Sequence, residues 1–157
     1  GGQKMSGILD TRDLQDRLEE LESEYDDLKT AVDDAEEAIQ DLRDDEEAPD
    51  PDALEDAETA LQEAKDFLQE FEESDDFKEM KELHDMSEEI SEWRYGDALI
   101  PVDGWVDYVR ELVEDLGYIS KDFPWWIEVD WEKTAENIAQ DYSTIDYQGE
   151  TYYYRNV

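Results

Sequence analysis

The sequence predicts a mainly α protein: an N-terminal antiparallel coiled-coil helical hairpin, then a small α+β C-terminal unit with a terminal β-hairpin. Three observations carry this expectation. Apolar residues at Leu14, Leu18, Leu21, Tyr25, Leu28, Val32, Ala35, Ile39 and Leu42 alternate steps of four and three without a break. That is the a/d seam of a coiled coil, sustained for about four heptads. A second series, Leu54, Ala57, Leu61, Ala64, Leu68 and Phe71, follows a charged turn holding Pro49 and Pro51. Past residue 76 aromatic residues gather, and the chain closes on two β-prone runs around Gln148-Gly149. The domain plan is a tag or disordered lead over 1–9, an acidic helical hairpin over 10–76 and an aromatic-rich α+β domain over 77–157.

Each element has its own local reason. Gly1 to Lys4, ahead of Met5, read as a vector-derived lead. Asp10 or Thr11 is the expected N-cap of the first helix, with Asp13 and Asp16 in the first turn where negative charge suits the helix dipole. The helix should run to about Arg43, and two prolines must break it. Asp50 then Pro51 read as N-cap and N1 of the second helix. Two such helices hide each other's seams. The second seam is shorter and richer in alanine, so part of the first needs cover from a second copy or from the C-terminal half. Ser74 is a candidate cap for a third helix, whose apolar face is Phe77, Met80, Leu83, Met86, Ile90 and Trp93. Tyr95-Gly96-Asp97 closes that segment, and Leu99-Ile100-Pro101 is a short extended piece. Asp103 is the expected cap of a helix stopped by Gly117 at C′. Trp125 to Val129 is a strand or a packed extended segment. Asp130 should cap a helix from Trp131 to about Tyr142, with Ala135, Ile138 and Ala139 facing inward. In the terminal hairpin Tyr153 should point opposite to Tyr152 and Tyr154.

Composition narrows the function classes. The 157 residues hold 50 Asp and Glu against 13 Lys and Arg, a formal charge of −37. Direct binding to DNA, RNA or an anionic membrane is disfavoured, because phosphate affinity rests on Lys and Arg. Basic proteins or cations are the natural partners. No cysteine is present, which removes disulfides, thiolate metal sites and a cysteine nucleophile and fits a reducing cytosol. No apolar run approaches the ~20 residues a bilayer span needs, and nothing reads as a signal peptide. His84 is the single histidine and has no second ligand or nucleophile in register. P-loop and Ser/His/Asp patterns are missing, so neither catalysis nor a cofactor is expected. Asp44-Asp45-Glu46-Glu47 with Asp50 and Asp52 offers oxygen ligands for Ca²⁺ or Mg²⁺ but lacks the EF-hand glycine and terminal Glu, and a solvated turn with an N-cap explains it better.

Residues 95 to 155 carry a resemblance. Leu99-Ile100-Pro101, the run Tyr108 to Gly117 and the run Trp126-Ile127-Glu128-Val129-Asp130-Trp131-Glu132-Lys133-Thr134-Ala135 look like a module of bacterial and phage proteins. The ending, Asp141-Tyr142-Ser143 through Asp146-Tyr147-Gln148-Gly149-Glu150 to Tyr154-Arg155, resembles the close of ArdA-type antirestriction proteins. Gln148 stands where Asp is usual before the glycine, and the N-terminal half differs from the family's first domain. The resemblance implies a mobile-element protein of a bacterial cytoplasm that imitates the charge of DNA and occupies restriction enzymes.

The N-terminal arm fits that implication by magnitude. Residues 10–76 hold 30 carboxylates against Arg12, Arg17, Lys29, Arg43 and Lys65, a net of −25. Residues 77–157 hold 20 acidic and 7 basic side chains over a longer stretch, so the arm is about twice as dense. The expected function is a non-catalytic acidic DNA mimic that occupies the nucleic-acid groove of a restriction, nuclease or other host defence protein. Asp16, Glu20, Glu24, Asp27, Asp34, Glu37 and Asp41 are its candidate partner-binding face, and Trp125 and Trp126 a candidate aromatic docking patch. The alternative is a structural or oligomerisation coiled coil, homodimeric in the simplest case, whose acidity serves solubility or salt adaptation.

Overall fold

The computed structural model of the protein describes residues 7–45, 50–117, 124 and 126–155. Among them are helices α1 (Thr11–Asp44), α2 (Pro51–Glu72), α3 (Asp75–Glu89), α4 (Trp105–Asp115) and α5 (Trp131–Ala139). Strands β1 (Leu9–Asp10), β2 (Ala98–Pro101), β3 (Tyr142–Tyr147) and β4 (Glu150–Arg155) form one antiparallel sheet in the order β1-β2-β4-β3. The protein is thus mainly helical with a small antiparallel sheet. It divides into two compact units, Gly1–Asp16 with Leu83–Val157, and Arg17–Glu82.

In the Arg17–Glu82 unit, exposure follows the seam. Leu18, Leu21, Val32 and Ile39 are buried, while Tyr25, Leu28, Ala35 and Leu42 are half-buried in an otherwise mostly exposed helix. On α2 Leu54, Ala57, Leu61, Ala64 and Leu68 are half-buried, as is Ala53 beside them, and Phe71 is buried. Asp50 caps α2 through Asp52 N–H at 3.0 Å, with Pro51 at the first position where its missing donor costs nothing. Three rings close one end. Tyr25 stacks on Phe71 at 5.6 Å and meets Phe77 edge-on at 5.2 Å. The Tyr25 hydroxyl donates to Glu72 at 2.9 Å, and that bond to a carboxylate, helped by burial, pushes the phenol above its usual range. Ser74 caps α3, its hydroxyl accepting from Phe77 N–H.

The other unit is built around the sheet, which is covered on both faces. Side chains alternate along a strand, so Ile100, Tyr142 and Tyr153 share a face and pack with Trp105, Val109 and Val113 of α4 and Ala135 of α5. Trp105 is the centre of that layer. Its ring lies 4.5 Å from Tyr153 and 4.8 Å from Tyr142, and its Nε1–H donates to the Ala135 carbonyl at 2.9 Å. Leu99, Ile145, Tyr152 and Tyr154 are buried on the opposite face, and Tyr154 feels the charge of Glu89 at the end of α3. Burial, together with a 3.0 Å hydrogen bond to Glu150, pushes the Tyr152 phenol up to about 12. The expected opposition of Tyr153 to its neighbours is what the strand shows.

Several elements differ from the sequence reading. The lead was placed over 1–9, yet Leu9–Asp10 pairs with Ala98–Leu99 as an edge strand. Two residues carry too little pattern to be read as a strand. Asp10 caps α1 by accepting from Arg12 N–H at 2.9 Å, whereas Thr11 is fully buried and serves another purpose. Asp103 does not cap α4. It sits in a 3₁₀ turn over Val102–Gly104, and Gly104 precedes the helix without a side-chain cap. Gly117 does close α4 in a left-handed conformation, φ +73°. Trp126 to Val129 is neither strand nor packed: residues 126–128 are exposed and only Val129 is half-buried. With Glu128 in the middle, this run has too few apolar residues to compete for a place on a sheet whose faces are already filled. Asp130 caps α5 through Lys133 N–H at 3.0 Å, but α5 stops at Ala139 because Tyr142 already belongs to β3.

The terminal hairpin turns on two residues, Gln148 (φ +52°) and Gly149 (φ +81°), between Tyr147 and Glu150. Positive φ at both centres is the type I′ turn that matches strand twist. A Cβ on Gly149 would meet nothing within 4 Å, so Gly149→Val is expected to cost only the backbone strain, about 1–2 kcal/mol. Thermal unfolding checks this, and an unchanged Tm would contradict it.

Candidate partner-binding surface

The surface follows from the heptad. With the seam on the core side, the b, c and f positions of α1 must face water. Asp16 and Glu37 stand at f, Glu20, Asp27, Asp34 and Asp41 at c, and Glu24 at g beside the seam; all seven are exposed in the structure. Glu20, Asp27, Asp34 and Asp41 recur every seven residues, a spacing of about 10.5 Å along the axis at ~1.5 Å per residue. Each of the first three has an acidic neighbour at the b position, giving the doublets Glu19-Glu20, Asp26-Asp27 and Asp33-Asp34. Glu19, Asp26 and Asp33 stand outside the face expected from the sequence. The repeated doublet is the signal that identifies them.

Neutralisation on this side is slight. Arg17 reaches Glu20 at 3.6 Å but is held more closely by Glu79 at 3.2 Å and Asp76 at 3.3 Å. Lys29 meets Asp26 at 3.5 Å while lying 4.4 Å over the Tyr25 ring. Among the described residues the other six of the seven candidate carboxylates make no ion pair. The basic side chains Lys29 and Arg43 stand at e positions with Glu22 and Glu36, and Ala31 and Ala38 dilute the adjoining g row. Negative charge is therefore concentrated on the b/c side of α1. Charge this dense destabilises its own fold. Raising NaCl from ~10 mM to ~1 M shortens the screening length from ~30 to ~3 Å and is expected to raise Tm, a rise that thermal melts followed by circular dichroism would detect. A Tm that falls would contradict the repulsion.

The aromatic patch is only half accessible to description. Trp125 lies outside the described residues, whereas Trp126 is 66% exposed, with Ile127 beside it at 40%. Trp131 is half-buried against the α4–α5 layer with Arg110 5.8 Å over its ring. His84 is exposed and 3.6 Å from Glu88. Among the described residues no group of three or more His, Asp or Glu side chains is placed to hold a metal ion, and 46–49 of the acidic turn lie outside them. No described helix is long and apolar enough to cross a membrane. An open cleft of about 570 Å³ lies between the start of α4 and α5, floored by Trp105, Ala135 and Tyr153.

A junction that sequence reasoning missed lies in the sheet-containing unit. Thr11 donates its hydroxyl to the Trp93 carbonyl at 2.9 Å and accepts from Asp97 N–H at 2.7 Å. The Thr11 N–H in turn donates to the Asp97 carbonyl at 2.9 Å. Trp93 Nε1–H donates to Gln15 at 2.6 Å. Gly96 is required there: its φ is +96°, and a Cβ would come within 2.6 Å of Arg12 Nε. No family model, curated protein or solved structure matches the chain.

Proposed function

We propose that this protein is a non-catalytic DNA mimic, an inhibitor of phage or mobile-element type acting in a bacterial cytoplasm. It occupies the nucleic-acid groove of a basic DNA-binding or nuclease protein of the host. The observation that carries the reading is the match in linear charge. Helix α1 has 34 residues and so is about 50 Å long. Duplex DNA carries one charge per ~1.7 Å, about 30 over that length, against a net of −25 for residues 10–76. We read α1 and α2 as an antiparallel coiled-coil hairpin, ~20 Å across as two helices of ~10 Å, near the width of a duplex. Two contacts support that reading: Tyr25 meets Phe71 and Glu72, whereas Arg43, further along α1, meets Glu58 at 3.7 Å, earlier on α2. The resemblance of residues 95–155 to ArdA-type antirestriction proteins points to the same activity.

Capture from bacterial lysate at low and at high salt tests the proposal. A nucleic-acid-binding protein recovered at low salt and released at high salt supports it. Recovery of no such protein would overturn it. The second reading is a structural coiled coil that assembles with copies of itself, favoured by Phe67, 59% exposed on α2. Sedimentation in high salt, where self-repulsion is screened, would reveal such a dimer.

A further inference from the structure

The Thr11 junction holds a carboxyl group in an uncomfortable place. Asp97 Oδ2 is buried and has no hydrogen-bond partner among the described residues. The side chain accepts from Ala98 N–H, so one oxygen is satisfied and the other is not. The backbone around it cannot easily retreat, because both Asp97 main-chain groups are bonded to Thr11. A buried ionised oxygen without a donor costs far more than a protonated one.

The groups facing Asp97 do not relieve it. Glu92, in the turn before it, adds like charge, and among the described residues Arg155 on β4 is the cation whose attraction reaches it. Tyr108 on α4 and Tyr154 on β4 face it as neutral phenols, both held above their usual range, mainly by burial. Arg12 on α1 is turned to Asp10, with which it pairs at 2.9 Å. We propose that Asp97 is a proton-operated clasp, and that its protonation tightens the junction that ties the start of α1 and β1 to β2.

The linkage has a definite sign. Burial, ahead of the charge of Glu92, raises the Asp97 carboxyl above its ordinary 3.8. The folded state then keeps the proton to a higher pH than the unfolded state, so stability falls as pH rises from about 3.8 through the folded value. Hydrogen exchange at the Thr11 amide, corrected for intrinsic rates, reads the clasp directly. Between about pH 7 and pH 4.5 its protection is expected to rise several-fold as pH falls, while in Asp97→Asn it is high and flat. Parallel pH dependence in the two proteins would overturn the proposal by assigning the effect to the general acidity of the chain. Carboxyl NMR of the unmodified protein supplies a second reading that does not depend on the variant folding. Titration of Asp97 above 3.8 supports the clasp, and titration at or below it overturns it.

Discussion

Trp105→Ala is expected to destabilise the sheet-containing unit by about 3–5 kcal/mol, enough to consume much of the stability of a small domain. The side chain is 4% exposed and touches both helices and two strands of its layer through Tyr108, Tyr142, Tyr153 and Ala135. Truncation leaves a cavity under the sheet and removes the indole hydrogen bond to the Ala135 carbonyl. Denaturant unfolding followed by near-UV circular dichroism measures the loss. Trp105→Phe separates the two causes: most of the cavity is filled, so the residual cost, about 0.5–1.5 kcal/mol, reflects the lost hydrogen bond. A Trp105→Ala protein that melts with the parent would show that the layer is not organised as described.

The second large effect concerns binding. Reversing Glu20, Asp27 and Asp34 to Lys is expected to weaken capture of the nucleic-acid-binding partner by about 10²–10³-fold. Each reversal replaces an attraction of about 0.5–0.7 kcal/mol by a repulsion of similar size, and the sum of ~3–4 kcal/mol is two to three powers of ten. Stability should change little, since all three side chains are exposed and only Glu20 gives up an ion pair, a 3.6 Å contact with Arg17. Reversing Glu111, Glu136 and Asp141, exposed residues of the other unit, alters the net charge equally. That control is expected to retain most of the affinity. Equal weakening by both triples would mean that bulk charge alone draws the partner.

Periodic features were legible in the sequence, and isolated ones were not. The α1 seam could be read residue by residue, because an unbroken four-three alternation has one physical solution: one side of a helix out of water. Asp50-Pro51, Ser74, Asp130 and Gly117 could be read because capping is local chemistry. The two-residue turn at Gln148-Gly149 followed from the β-prone runs on either side. The edge strand Leu9–Asp10 could not be foreseen, since its pairing is decided by β2, ninety residues away. Thr11 looked like a cap because capping is what threonine commonly does at a helix start; its burial depends on Trp93 and Asp97, remote in sequence. Asp103 fails as a cap because Pro101 leads the chain into a 3₁₀ turn that moves the helix start one residue on. For the acidic surface, six of the seven carboxylates lie at the c and f positions that the heptad turns to water and Glu24 at g, whereas the concentration of charge on the b/c side rests on the acidic doublets and on Lys29 and Arg43 standing at e.

The most direct test of charge mimicry is competition. With the captured host protein in hand, its complex with this chain should be titrated with a short DNA duplex of unrelated sequence, at several salt concentrations. Mutually exclusive binding is expected, the duplex displacing the protein in proportion to its own affinity, and both affinities falling steeply and in parallel with salt. A ternary complex in which duplex and protein are held together, or an affinity for this chain indifferent to salt, would contradict the account.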